Sequence, residues 1–285
     1  MVQRKQMMGT VGIEQIRRAA VAGLFYASDV HTLAADVQHL LDNVPATADR
    51  GVPKALIVPH AGYLYSGPVA AHAYARLRGA RSSAIRRVVL IGPAHRAYVR
   101  GIALPDVDLF ETPLGRVALD AEAIHELAQL PGIMFDDAAH AAEHALEVQL
   151  PFLQTVLEDF TLVPMAVGEA SGDDVAAALE CVWGDDETLV VVSSDLSHYH
   201  PYRDARAIDA RTVAHIVAGT RDLEDPEACG ATSINGLIRC ARSQRLAAKL
   251  LDCRNSGDTA GERSRVVGYA AFAFEPRGET EGFRA

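Results

Sequence analysis

The sequence has few cysteines and lacks the segments that identify several large classes of protein. Its four cysteines, Cys181, Cys229, Cys240 and Cys253, form no C-x-x-C pair, and a chain of 285 residues needs no disulfides to fold. No apolar run approaches the roughly 18 residues of a transmembrane helix. The first residues are basic but lack the apolar stretch of a signal peptide. We therefore expect reduced thiols, no membrane partner and a cytoplasmic location.

Signatures for binding nucleotides and nucleic acids are also absent. There is neither a G-x-x-x-x-G-K-[ST] loop nor a G-x-G-x-x-G after a strand, which argues against ATP and dinucleotides. The formal net charge is −10 and no basic cluster stands out, which argues against a nucleic-acid partner. A hydrophobic content of 49% is enough for a sizeable core, and the length fits one large α/β domain or two small ones.

The sequence does contain a repeated arrangement in which a buried strand is followed by a histidine. The apolar runs and their histidines are 56–58 with His60, 88–91 with His95, and 189–192 with His198. Ligands of open α/β sheets bind outside the carboxyl ends of the strands, so these histidines are expected to converge. Because imidazole is the commonest metal ligand and general base in proteins, the convergence predicts a metal or acid/base site.

Strand-like and helix-like segments alternate along most of the chain. Helices are expected at 30–43, 67–78, 173–181, 204–218 and 234–247, and late strands at 249–253 and 266–274. This alternation predicts βαβ units and an α/β fold, with a mostly parallel sheet that is covered by helices on both faces.

The loop after the third strand carries a second group of reactive side chains. Asp195 stands three residues before His198, and a carboxylate there can fix the tautomer of the imidazole or accept its proton. His198 is therefore a candidate general base with Asp195 as its orienting partner. The nearby Ser193, Ser194 and Ser197 lack a G-x-S-x-G elbow, which argues against a serine nucleophile.

Cys229 is a further candidate ligand. It precedes Gly230 and a predicted helix, and a helix N-terminus is expected to lower the pKa of its thiol. As a thiolate it would be a strong ligand for iron, zinc or copper. Read alone, a cysteine in this position is structural most of the time.

The segment from His140 to His144 offers an alternative metal site. It matches the H-x-x-E-H pattern of inverted zinc peptidases, with Glu143 as the glutamate. On a helix the two histidines would share a face and could bind one zinc ion. However, this reading does not explain the histidines that follow the three strands.

These segments together resemble the Memo family, also called the AmmeMemoRadiSam system protein B family. The matching segments occur in family order at 22–26, 59–63, 92–95, 143–151, 193–199 and 227–230. The resemblance implies a single three-layer α/β/α domain over 20–275 with a mostly parallel mixed sheet. That fold is LigB-like (phosphorylase/hydrolase-like) and is shared with the class III extradiol dioxygenases. An N-terminal lead of 1–19 and a polar tail of 276–285 would flank the domain.

The resemblance also implies roles for individual residues. The ligands would be His60, His95 and Cys229, the catalytic pair His198 and Asp195, and the pocket residues His144, Glu147 and Tyr63. We expect Glu143 to lie on a solvated helix face. The expected metal is Fe(II), with zinc or copper as alternatives. Cys229 replaces the glutamate ligand of the dioxygenases, and a thiolate is softer and can itself be oxidised.

The function implied by the resemblance is a mononuclear metal-binding protein with redox or dioxygenase-like chemistry on a small molecule or peptide. Radical-SAM and AMMECR1-like proteins are the expected pathway partners, and the composition permits a homodimer. The alternative is a non-enzymatic adaptor that keeps the dioxygenase-like cleft for a peptide or partner protein.

Overall fold

A computed structural model describes residues 14–45, 51–79 and 84–277 of the chain. The first elements are β1 (Ile16–Arg17), α1 (Val30–Asp42), β2 (Ala55–Val58), α2 (Tyr63–Tyr74) and β3 (Arg87–Pro93). They are followed by β4 (Ile102–Leu104), β5 (Leu109–Thr112), β6 (Gly115–Ala118), α3 (Ala121–Leu127), β7 (Ile133–Phe135), α4 (Asp137–Ala141) and α5 (Leu150–Val156). The remaining elements are β8 (Thr161–Val167), α6 (Gly172–Cys181), β9 (Thr188–Ser193), β10 (His198–His200), α7 (Tyr202–Ala218), α8 (Ala231–Ser243), β11 (Leu246–Asn255), α9 (Ser256–Thr259) and β12 (Val266–Pro276).

A mixed sheet of nine strands forms the centre of the molecule. Its order is β10-β12-β2-β9-β3-β8-β4-β7, and β11 also pairs with β12. The central strands β2, β9, β3 and β8 run parallel, whereas β10, β11 and β2 all pair antiparallel with β12. Strands β1, β5 and β6 form a separate small sheet. The predicted α/β fold with a mixed sheet is confirmed, and the parallel pairing is concentrated in the middle of the sheet.

Helices cover this sheet on both faces. Every residue of β2 and of β9 is buried, which requires cover from both sides because successive side chains point to opposite faces. Helices α1, α2 and α5 pack against one another, and α6 packs against α8. The three-layer α/β/α arrangement is therefore confirmed. No helix in the described ranges is long and apolar enough to cross a membrane.

The register of the central strands brings their carboxyl ends to the same level. Val58 at the end of β2 lies beside Ser193 at the end of β9, and Ile91 of β3 lies beside Val192. The amide of Ser194 then donates a 2.9 Å hydrogen bond to the carbonyl oxygen of Val58. The loops that follow β2, β3 and β9 consequently emerge side by side at one edge of the sheet.

Most predicted elements are present, although some boundaries differ. Helix α1 forms as expected, with Leu33, Val37 and Leu41 buried on one face and Asp29 accepting a hydrogen bond from the amide of Thr32. Other boundaries are set by strand pairing with distant residues. The helix predicted at 234–247 is α8, which ends at Ser243 because the chain from Leu246 onward pairs with β12 as β11. Of the predicted lead and tail, 1–13 and 278–285 lie outside the described residues.

Candidate metal centre

Three imidazoles meet at the carboxyl edge of the central strands. His60 follows β2, His95 follows β3, and His144 lies between α4 and α5. One nitrogen from each ring lies within 4.8 Å of the others. The ring centres are separated by 5.2 Å for His60 and His95, 5.4 Å for His60 and His144, and 4.9 Å for His95 and His144. The cluster contains two of the predicted ligands, and its third member is the predicted pocket residue His144.

His60 is the most deeply buried member of the cluster. Its amide donates to Oδ1 of Asp195 at 2.7 Å, its Nδ1 lies 2.9 Å from Oγ of Ser193, and its Nε2 lies 3.3 Å from Sγ of Cys229. Burial lowers the pKa of His60 well below its ordinary value, and positive charge on His95 or His144 would lower it further. His60 is therefore a neutral imidazole at physiological pH, which is the form that binds metals.

Glu143 positions the other two imidazoles. Its side chain is 1% exposed, and its carboxylate accepts hydrogen bonds from the amide and Nδ1 of His95, at 2.5 and 3.0 Å. It also accepts bonds from the amides of His144 and Ala145, at 2.9 and 2.8 Å. Burial alone would raise the pKa of Glu143, but bonds from both histidines and from the Ala145 amide hold that pKa well below its ordinary value. The expected solvated position for Glu143 is wrong, because its carboxylate is buried and accepts hydrogen bonds from His95, His144 and Ala145.

The ring of His144 faces the same carboxylate as the ring of His95. Its Nδ1 is buried and makes no hydrogen bond to any described residue, although it lies 3.2 Å from Oε1 of Glu143. The ring packs against that of Phe25, with centroids 4.7 Å apart. Because a carboxylate oxygen only accepts hydrogen bonds, the contact with Glu143 favours a proton on Nδ1 and leaves Nε2 of His144 free for a cation.

The segment that carries Glu143 and His144 is held in place by Arg17. The guanidinium group donates to the carbonyl oxygens of His140, at 3.0 Å, and Glu143, at 2.6 Å, and it forms an ion pair with Glu147. The side chains of Arg17 and Glu147 are 5% and 0% exposed. Arg17 lies in β1, which was predicted to belong to a lead segment outside the domain. Its partners show that it fixes the backbone of the site.

Glu147 and Tyr63, which were predicted to line the pocket, are placed behind it. Glu147 has no exposed surface and accepts bonds from the Tyr26 hydroxyl and from the amides of Ala20 and Val21, besides its pairing with Arg17. The Tyr63 hydroxyl donates to the carbonyl oxygen of Val148 at 2.7 Å. Both side chains therefore tie separate segments together, and neither has a polar group left for a ligand.

Asp195 is placed beside His60 and makes no hydrogen bond to His198 within the described chain. Its carboxylate accepts from the amide of His60, and burial raises its pKa, while that hydrogen bond acts in the opposite direction. His198 lies in β10 opposite Val267 and is partly exposed. A positive charge on His198 would lower the pKa of both His60 and Asp195, so the three groups are electrostatic neighbours.

Cys229 lies beside His60, outside the group of three imidazoles within 4.8 Å of one another, and Gly230 permits the close approach of two loops that places it there. A Cβ atom at Gly230 would lie 2.7 Å from Cβ of Ser194, closer than real side chains come. The Cys229 sulfur accepts a hydrogen bond from the amide of Asp195 at 3.3 Å. Burial, and then the charge of Asp195, raise the pKa of Cys229 to about 12. The expected lowering of this pKa by the helix N-terminus is therefore wrong for the metal-free protein, because removing the thiol from water outweighs the dipole of α8.

A cavity of about 580 Å³ adjoins His95 and Cys229. Its lining includes Tyr98, Glu169 and Asp225, none of which was predicted from the sequence. The hydroxyl of Tyr98 donates to Glu169 at 2.6 Å across this cavity wall. Glu169 could have been predicted from the sequence by the pattern that identified the histidines. Gly168 and Glu169 directly follow the buried strand β8, as His60 and His95 follow β2 and β3.

His140 does not take part in the cluster, and the peptidase geometry is not formed. Helix α4 ends at Ala141, so His140 and His144 do not share a helix face. His140 Nε2 donates to the carbonyl oxygen of Ala103 at 3.0 Å, and burial lowers the pKa of His140 to about 4. His140 is a buried histidine whose Nε2 is already used in a hydrogen bond to the protein backbone. The inverted zinc-peptidase site would therefore lack the first of its two histidine ligands.

A family model and curated relatives both match most of the chain. A family model described as "Memo-like protein" matches residues 17–273. A MEMO1 family protein of Methanothermobacter thermautotrophicus is 34% identical over 275 residues, which cover 90% of this chain and 99% of that protein. A MEMO1 family protein of Methanopyrus kandleri is 36% identical over 90% of this chain and 98% of its own length. Among solved structures, an uncharacterized protein of Escherichia coli K12 aligns with a TM-score of 0.47 and 11% identity over 76% of this chain and 98% of that one.

The buried ion pair of Arg17 is expected to contribute strongly to stability. Replacing Arg17 by Met leaves Glu147 as an unpaired buried charge, which should reduce the free energy of unfolding by about 3–5 kcal/mol. The neighbouring Arg18 is the matched control. Its side chain is 77% exposed, and its replacement removes only one ion pair, in which Nη1 lies 3.4 Å from Oε1 of Glu111. Arg18→Met should change the free energy by less than about 1 kcal/mol. Urea unfolding of both variants measures this, and equal effects would contradict the assigned role.

The buried state of His140 predicts a pH dependence of stability in the metal-free protein. In the unfolded chain this imidazole binds a proton near its ordinary pKa of 6.5, but in the folded protein it does so only near 4. The unfolded state therefore binds more protons between these values, so His140 destabilises the fold as pH falls through that window, by up to about 1.4 kcal/mol per pH unit.

His140→Gln removes this group while retaining an amide that can donate to the Ala103 carbonyl. Urea unfolding between pH 6.5 and 4 should show a shallower loss of stability for this variant than for the wild type. His125→Gln, at an exposed position, should keep the wild-type slope. Identical slopes in all three proteins would show that His140 is not buried in its neutral form.

Proposed function

The chain belongs to the Memo-like protein family, and from that membership and the geometry of the site we propose that it is a mononuclear metal-binding protein with redox or dioxygenase-like chemistry. The observation that carries this proposal is the convergence of His60, His95 and His144 at the strand edge, with one nitrogen of each within 4.8 Å of the others. Metal–imidazole bonds are about 2.0–2.1 Å long, so the ligand nitrogens of one ion lie at most about 4.2 Å apart, and a small inward movement of the rings would bring all three within reach of one ion.

The hydrogen bonds of the cluster support nitrogen ligation. A carboxylate only accepts hydrogen bonds, so Nδ1 of His95, which faces Glu143, carries the proton and leaves Nε2 of His95 as the free nitrogen. This is the carboxylate–histidine arrangement found behind many metal ligands. The negative charge of Glu143 also offsets part of the charge that a divalent cation would bring into the site.

Cys229 is proposed as the fourth ligand. Its sulfur lies 3.3 Å from Nε2 of His60, a separation compatible with two ligands on one ion. Three imidazoles and one thiolate suit iron, zinc and copper, and we propose Fe(II) as the functional metal with zinc and copper as competitors. A bound iron ion would supply redox chemistry and Lewis acidity at this edge of the sheet.

The protein's own groups provide the remaining functions. His198, partly exposed and electrostatically close to His60, is proposed to exchange protons with the substrate as general acid or base. Asp195 holds the backbone of His60 and so acts on the ligand instead of on the ring of His198. The cavity beside His95 and Cys229 is the proposed binding place of a small-molecule or peptide substrate. Pathway association with radical-SAM and AMMECR1-like proteins, and a homodimer, stay predictions.

A second candidate function is a partner-binding adaptor. Three apolar side chains close in sequence to Phe25, His60 and His198 are largely exposed: Leu24 at 81%, Leu64 in α2 at 69% and Tyr199 in β10 at 63%. Large exposed apolar side chains are one feature of surfaces that bind a partner. Metal content distinguishes the two functions, because an adaptor has no need of a stoichiometric ion.

Metal analysis of protein purified without oxygen tests the proposal. The wild type should contain about one metal ion per chain, and His60→Ala, His95→Ala and His144→Ala should each weaken binding by more than about 100-fold, since even outer partners of a ligand contribute 10–100-fold. His140→Gln is the control and should keep the ion. Absence of metal from the wild type, even after reconstitution, would favour the adaptor. Loss in His140→Gln but not in His60→Ala would favour the peptidase site.

Proton release on metal binding tests the role of Cys229. The thiol, with its pKa near 12, is protonated at neutral pH and must lose that proton to become a ligand. Titration calorimetry with zinc in buffers of different ionisation enthalpy should therefore show about one more proton released by the wild type than by Cys229→Ser. Equal proton release would show that the sulfur does not bind the ion, while the imidazole ligands would be unaffected.

A further inference from the structure

His60 is joined through its inner nitrogen to a chain of three buried side chains that are not part of the proposed ligand set. Nδ1 of His60 lies 2.9 Å from Oγ of Ser193, Nε2 of Gln149 lies 2.8 Å from the same oxygen, and the Tyr74 hydroxyl lies 2.8 Å from Oε1 of Gln149. All four side chains are almost completely buried. Every polar atom in this chain must consequently find its partner within the protein.

The orientation of the Gln149 amide is fixed by a backbone carbonyl. Its Nε2 lies 3.0 Å from the carbonyl oxygen of Pro59, which can only accept a hydrogen bond. The opposite orientation would place two acceptors against each other there. Gln149 therefore presents its amide hydrogens to Pro59 and to Ser193, and its oxygen accepts the Tyr74 hydroxyl.

A second carbonyl fixes the direction of the Ser193 hydroxyl. Oγ of Ser193 lies 2.6 Å from the carbonyl oxygen of Ala145, which again only accepts, so the single hydroxyl proton is used there. One lone pair of Oγ accepts the Gln149 amide. The other lone pair faces Nδ1 of His60, and this contact is a hydrogen bond only if Nδ1 carries the proton.

From these constraints we infer that Ser193, Gln149 and Tyr74 are positioning residues that hold His60 as its Nδ1–H tautomer. Nε2 of His60 then carries the lone pair, and it faces Cys229 and the other imidazoles. Ser193, which was considered as a nucleophile from the sequence, thus acts as a hydrogen-bond acceptor for the proposed ligand His60. The ligand nitrogen is available before any metal arrives, so binding need not include a tautomer exchange at a buried ring.

The inference deepens the proposed metal-binding function, but its main test does not depend on it. In metal-free protein labelled with ¹⁵N-histidine, two-dimensional ring spectra identify which nitrogen of His60 carries the proton. His60 should be the Nδ1–H tautomer in the wild type. In Ser193→Ala the Nε2–H form should become populated, because Nδ1 loses its acceptor whereas Nε2–H can donate to the Cys229 sulfur.

The matched control is Ser66→Ala. Ser66 is also buried and donates one hydrogen bond, of 2.7 Å, to the carbonyl oxygen of Ala61 beside His60. This variant loses a comparable bond without touching the chain and should keep the wild-type tautomer. Tyr74→Phe removes only the outermost bond and should shift the tautomer less than Ser193→Ala does.

Zinc affinity supplies the second measurement. Ser193→Ala should bind zinc about 10–100-fold more weakly than the wild type and Ser66→Ala. An Nε2–H tautomer in the wild type, or an unchanged tautomer in folded Ser193→Ala, would overturn the inference. A wild type that has the Nδ1–H tautomer but binds no metal would leave the inference standing and refute the proposed function.

Discussion

The buried ion pair between Arg17 and Glu147 is the interaction on which the site depends. Helix α4 ends at Ala141, and carbonyl groups at and beyond the C-terminus of a helix need hydrogen-bond partners from outside that helix. The guanidinium group supplies them, and Glu147 neutralises the charge that this arrangement brings into the interior. A small strand, β1, fixes Arg17 beside β5 and so connects the beginning of the described chain to the centre of the site.

That single segment serves both sides of the imidazole cluster. Its first part contributes Glu143, which holds His95, and contributes His144 itself. Its second part contributes the Ala145 carbonyl and Gln149, which together determine the hydrogen bonding of Ser193 and therefore of His60. The three rings are thus oriented by a carboxylate on one side and by a neutral hydroxyl on the other.

The sequence contained enough information to predict the strands and the two histidines that end them. The runs before His60 and His95 are continuously apolar because their strands are buried on both faces, and this pattern is local. Cys229 was a candidate because it precedes Gly230 and a predicted helix, and the family resemblance added His144 as a pocket residue. The position of Glu143 was not predictable in the same way, since its partner His95 lies 48 residues away. Arg17 and the carbonyl of His140 are 123 residues apart, and an alanine-rich segment read alone resembles a helix. The pKa of Cys229 likewise depends on burial by loops that only the fold brings together.

The most direct test of the account is X-ray absorption at the zinc edge of the zinc-loaded protein. If the cluster binds one ion as argued, the spectrum should contain scattering from three imidazoles at about 2.0–2.1 Å and from one sulfur at about 2.3 Å. A first shell made of oxygen ligands, or one with fewer than two imidazoles, would contradict the claim that His60, His95 and His144 form a single metal centre.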